Sequence, residues 1–118
     1  MQQLAKECIS AKKELFEAVK FFNSKRETLK ASIKHSLSNM VGVNVYVRTP
    51  LNNNMYFSAY YETLGLNVVI DLSNNGEWRM VTNCKHESEF TETDKKFIAC
   101  AQSIVDKLNG KEVEDDNS

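Results

Sequence analysis

Between Met40 and Val43 the spacing of apolar residues changes from a helical period to a period of two, and this change constrains the fold most. Before it, Leu4, Cys8, Ala11, Leu15, Val19, Phe22, Leu29, Ile33, Leu37 and Met40 recur at intervals of three, four or seven. Such recurrence places one apolar stripe along a helix, here over residues 2–39. Arg26 falls inside the stripe, and beside it Ser24 and Glu27 form an S-x-x-E capping box, a helix-start signal. The segment reads as one long helix, bent near Asn23 and Ser24, or as two helices meeting there. We adopt the single helix.

After Met40 the pattern belongs to strands. Val43, Val45 and Val47 alternate with Asn44, Tyr46 and Arg48, and Phe57, Ala59 and Tyr61 with Tyr56, Ser58 and Tyr60. Leu66, Val68, Ile70 and Leu72 form a third apolar set, and Trp78, Met80, Thr82 and Cys84 a fourth. Four consecutive strands with short links predict an antiparallel meander. In the last hairpin, a two-residue Asn75-Gly76 turn would set Leu72 opposite Arg79 and mix the faces. A three-residue loop, Asn74 to Gly76, sets Leu72 opposite Trp78 and Ile70 opposite Met80, with Gly76 in the left-handed conformation. A one-residue slip moves every side chain to the other face, so burial selects the three-residue loop.

Thr91 and Asp94 form a second capping box, followed by the stripe Phe97, Ile98, Ala101, Ile104, Val105 and Leu108. Lys107 in the last turn and Gly110 just beyond it suit a helix end. The order is α-β-β-β-β-α. The expected fold is α+β: a long N-terminal helix, a four-stranded antiparallel meander and a C-terminal helix, with both helices on one face of the sheet. One domain spans residues 1–110, and residues 111–118 read as an acidic, disordered tail.

The 118 residues suffice for a core without disulfides or metals. No apolar run approaches the ~20 residues of a membrane span. Lys6, Glu7, Lys12 and Lys13 interrupt any apolar leader, and three cysteines cannot all pair within one chain. These features predict a cytoplasmic protein. Residues 1–48 carry nine Lys/Arg against four Glu, a net of +5, whereas residues 49–118 carry six against twelve Asp/Glu, a net of −6. A dipolar monomer whose halves attract one another accounts for that polarity, with a basic binding face as the alternative.

Catalytic patterns are weak. Cys84 and His86 share a strand face but lack the second pair of ligands that a zinc site needs, and no oriented base accompanies them for nucleophilic chemistry. Cys8 lies in the apolar stripe and reads as packing, while Cys100 lies at a stripe edge and reads as partly exposed. Glu87, Glu89, Glu92 and Asp94 cluster at a helix start, where the dipole suits them. No two glycines lie close enough for a phosphate loop. The sequence therefore predicts no catalytic, metal or cofactor site.

Two surfaces remain as partner-binding candidates. One is the sheet face away from the helices, with Tyr46, Arg48, Tyr56, Tyr60 and Arg79. In the register expected for the first hairpin, Arg48 lies opposite Tyr56. The other is the first helix, where Ala5, Ile9 and Phe16 widen the stripe and Phe21 points roughly the opposite way. Its basic rows alternate with Glu7, Glu14, Glu17 and Glu27, which dilutes their field. The expected function is a non-catalytic protein-binding module, such as a small inhibitor, immunity-type or adaptor protein, acting on a protein partner and as a homodimer. The alternative is a nucleic-acid binder that uses the tyrosine/arginine sheet face. No membrane role is expected.

Overall fold

The computed structural model describes residues 1–62, 66–84 and 90–111. The first helix, α1, runs unbroken over Gln2–Val41. The Ser24–Glu27 box starts no new helix: Ser24 stays in the helical ladder, and its carbonyl also accepts the Thr28 hydroxyl at 3.1 Å. Gly42 ends α1 in the left-handed conformation (φ 84°), and its N–H donates to the Ser38 carbonyl at 2.9 Å. Ser38 Oγ then accepts the Val45 N–H at 3.0 Å, leading the chain directly into the sheet.

The strands are β1 (Tyr46–Arg48), β2 (Tyr56–Tyr60), β3 (Leu66–Leu72) and β4 (Trp78–Cys84), followed by helix α2 (Glu92–Leu108). They form one antiparallel sheet in the order β1-β2-β3-β4. The expected α+β fold is therefore the observed one. β1 is shorter than the alternation suggests, since Val43 lies outside it and is exposed, whereas Val45 is buried.

The β3–β4 register follows the burial argument. Leu72 pairs with Trp78, Ile70 with Met80 and Asp71 with Arg79. Ser73 N–H reaches the Glu77 carbonyl at 2.8 Å, which leaves Asn74, Asn75 and Gly76 as the loop. Gly76 has φ 86°, where a side chain would be strained.

The first hairpin corrects the expectation. Arg48 lies opposite Ser58, not Tyr56, and Tyr46 lies opposite Tyr60. A shift of two keeps each residue on its face, so hydrophobic patterning does not resist it. The cause is Arg26. Its guanidinium donates to the carbonyls of Asn52 (2.6 Å), Asn54 (2.9 Å) and Pro50 (3.1 Å). Those bonds hold the 49–55 connection against α1, and β1–β2 pairing begins only beyond it.

The core lies between the sheet and both helices. Val45, Val47, Phe57, Ala59, Leu66, Val68 and Ile70 face Ile33, Leu37 and Val41 of α1 and Phe97, Ala101, Ile104 and Val105 of α2. Thr91 caps α2, and Asp94 returns the bond to the Thr91 N–H. Asp94 is only 5% exposed and also accepts the Tyr61 hydroxyl. At the other end of α2, Asn109 Oδ1 accepts the Trp78 N–H at 2.8 Å while its Nδ2 donates to the Trp78 carbonyl at 2.9 Å. Residues 112–118 of the expected tail lie outside the described residues, as does His86.

Candidate functional site

The core holds only the second half of α1. Arg26 is 6% exposed, and Ile33, Leu37 and Val41 are buried. Val19 and Phe22 are half-buried, and before them the same stripe continues with nothing over it. Leu4 and Leu15 are 66% and 64% exposed, and Ile9, Phe16 and Phe21 lie between 65% and 69%. Leu4, Cys8, Ala11 and Leu15 of the stripe are all exposed. Cys8 is thus an exposed thiol, not buried packing.

A 40-residue helix is about 60 Å long, and the molecule measures 65 × 36 × 25 Å. The four-stranded sheet spans less than that, so roughly 25 residues of helix, about 37 Å, project as an arm. On the arm Lys25 Nζ lies 5.4 Å from the Phe21 ring centre, and Arg26 Cζ lies 5.3 Å from that of Phe22. These contacts cover part of each ring. The apolar stripe stays open.

On the outward sheet face, β1–β2 pairing brings Tyr46, Tyr60 and Arg48 together. The two rings stack with centroids 5.5 Å apart. Arg48 Nε donates to the Tyr60 hydroxyl at 2.9 Å, and its guanidinium lies 4.9 Å from that ring centre. Lys34 of α1 completes the group, 5.8 Å from the Tyr46 ring centre. Periodicity does not mark Lys34, because its pairing depends on how α1 crosses the sheet edge.

Tyr56 and Arg79 sit farther along this face, each opposite Asp71 on a neighbouring strand. Arg79 holds Asp71 through two bonds of 2.8 and 3.1 Å. That hydrogen bonding, then the nearby carboxylate charge, raises the Arg79 pKa further above its ordinary value. Asn67 donates to Ser58 Oγ at 3.0 Å between these groups. The face is therefore laced with cross-strand polar pairs of the kind that stabilise a solvated sheet surface.

A cleft of about 480 Å³ opens between the β1 edge and the start of α2, lined by residues including Tyr46, Tyr61, Glu62, Thr91 and Thr93. Thr91 is engaged as the α2 cap, and the described lining residues include no nucleophile paired with an oriented base. Among the described residues, no group of three His, Cys, Asp or Glu could hold a metal ion. Among them also, no helix is long and apolar enough to cross a membrane. Cys100 is half-buried, and burial raises its thiol pKa, with Lys96 acting weakly the other way.

Compared with known proteins, the chain matches no family model, no curated protein and no solved structure.

Proposed function

We propose that this chain is a non-catalytic protein-binding module whose docking element is the arm formed by the first 25 residues of α1. One observation carries the reading: the stripe that α1 buries at Ile33 and Leu37 continues uncovered through Leu15 and Leu4. Burying a leucine or phenylalanine contributes roughly 1.5–3 kcal/mol, so covering several would support a stable complex. An unsupported helix is marginal in water, and a partner on the stripe would supply the packing it lacks. An inhibitor or adaptor role in the cytoplasm accords with this reading.

Nucleic-acid binding through Tyr46, Arg48, Tyr56, Tyr60 and Arg79 is the weaker reading. Base stacking needs open ring faces, yet Tyr46 and Tyr60 stack on each other and each carries a cation over its ring. Arg79 is engaged by Asp71.

The test immobilises the full chain, Leu15→Glu and Tyr60→Ala, and compares what each retains from the native source. Proteins held by the wild type and Tyr60→Ala but released by Leu15→Glu support docking on the arm. Identical sets on all three baits would reject it.

A further inference from the structure

We propose that the occupant of the arm is the arm of a second copy, running antiparallel. This rests on the reading of the arm as a docking element and names its partner.

Three observations carry it. The first is spacing. Leu4, Cys8, Ala11, Leu15, Ala18 and Phe22 recur at intervals of four, three, four, three and four. This is the heptad seam by which one helix packs against another. Beyond Phe22 the stripe runs through Arg26, Leu29, Ile33 and Leu37 at four, three, four and four, a wider face that suits a sheet. The seam ends where the domain body begins.

The second observation is steric. From Arg26 onward the chain's own sheet and the 49–55 connection occupy this face. A parallel second copy would drive its residues 26–41 into that space. An antiparallel copy carries its sheet past Leu4 of the other arm, clear of that copy's own sheet and 49–55 connection. Charge alone favours the parallel pair, which would set Glu7 near the partner's Lys12. Such surface pairs contribute only a few tenths of a kcal/mol, and steric overlap of a helix with a sheet outweighs them.

The third is that the arm matches itself in length. With Ala11 against the partner's Leu15, Cys8 meets Ala18 and Leu4 meets Phe22, so all six seam positions pair. The seam then ends with Leu4 level with the partner's Phe22, one turn short of the partner's Arg26. Sliding one heptad further in would collide with the partner's 49–55 connection, and sliding one heptad out would leave Phe22 and Ala18 bare. Leu51, wholly exposed in that connection, lies at the end of the seam. Two arms about 37 Å long and 10–12 Å across face each other over strips of roughly 400 Å² each, the scale of a weak pair that forms as concentration rises.

Sedimentation of the full chain over a concentration series tests the pairing, and Ala18→Cys tests its direction. The expected results are twice the mass of one chain at high concentration and, on mild oxidation of Ala18→Cys, a disulfide from residue 8 to residue 18 of the other copy. Leu15→Glu should weaken association roughly a hundredfold, since each dimer loses two buried leucines, while its helicity and Trp78 fluorescence show an intact body. Added salt should strengthen the dimer, because Lys12 meets Lys12 and Glu14 meets Glu14 at the two-fold axis.

Links of residue 8 to 8 and 18 to 18 would overturn the antiparallel pairing. A single-chain mass at every concentration would overturn the second copy altogether. In that case the immobilised-chain comparison separates the causes: proteins lost only from Leu15→Glu mean that the arm docks something else, and identical sets mean that the docking reading fails as well.

Discussion

The Arg26 guanidinium meets the Asn52 carbonyl at 2.6 Å, joining the middle of the long helix to the first hairpin connection. Arg26 also binds Asn54 and Pro50, and its Nε is buried without a partner among the described residues. Arg26→Met keeps the aliphatic stem and removes all three bonds. It should cost about 2–3 kcal/mol, less than three charged hydrogen bonds would suggest, because water can reach the freed carbonyls. Urea unfolding followed by Trp78 fluorescence measures this, and proteolysis should cut first within residues 49–55.

The cap of α2 gives a graded series. Thr91→Ala removes one capping bond and should cost about 1 kcal/mol. Asp94→Ala should cost about 2–3 kcal/mol, because it also strands the Tyr61 hydroxyl in the interior. Tyr61→Phe falls between the two or below both. Equal losses for Thr91→Ala and Asp94→Ala would mean that the Tyr61 bond contributes nothing.

Asn109 binds both backbone groups of Trp78, as a neighbouring strand would. Asn109→Ala should cost about 1 kcal/mol and free the start of β4. Amide exchange at Trp78 should accelerate more than at Met80.

Much of this fold was legible because one face of each element is buried. The Leu72–Trp78 register, the Thr91–Asp94 box and the left-handed Gly76 each follow from residues close together in the chain. The two-residue shift that places Arg48 opposite Ser58 does not, since a slip of two leaves every side chain on its face. The arm was half legible. Leu4 and Leu15 advertise an apolar stripe, but periodicity records that a face is apolar and not which body covers it. Lys34 near Tyr46 was invisible for a related reason: a lysine's neighbour across a helix–sheet crossing leaves no local pattern.

The cysteines should differ in reactivity. The thiolate is the nucleophile, so burial that raises the Cys100 pKa keeps it protonated at pH values where an ordinary thiol has begun to ionise. Alkylation of the chain diluted until its arms are unpaired, followed by peptide mapping, should label exposed Cys8 ahead of Cys100. Cys100 should lag near pH 8, and its rate should still be climbing at higher pH. Equal rates would mean that Cys100 is as open to solvent as Cys8.

Since α1 crosses Arg26 without a break and Gly42 and Ser38 clamp its far end to the sheet, the helix acts as a spacer bar. Whatever grips residues 4–22 is set at one distance and one rotation from the Tyr46–Tyr60 face. A glycine pair inserted near Asn23 would keep every side chain on either surface yet uncouple their orientations.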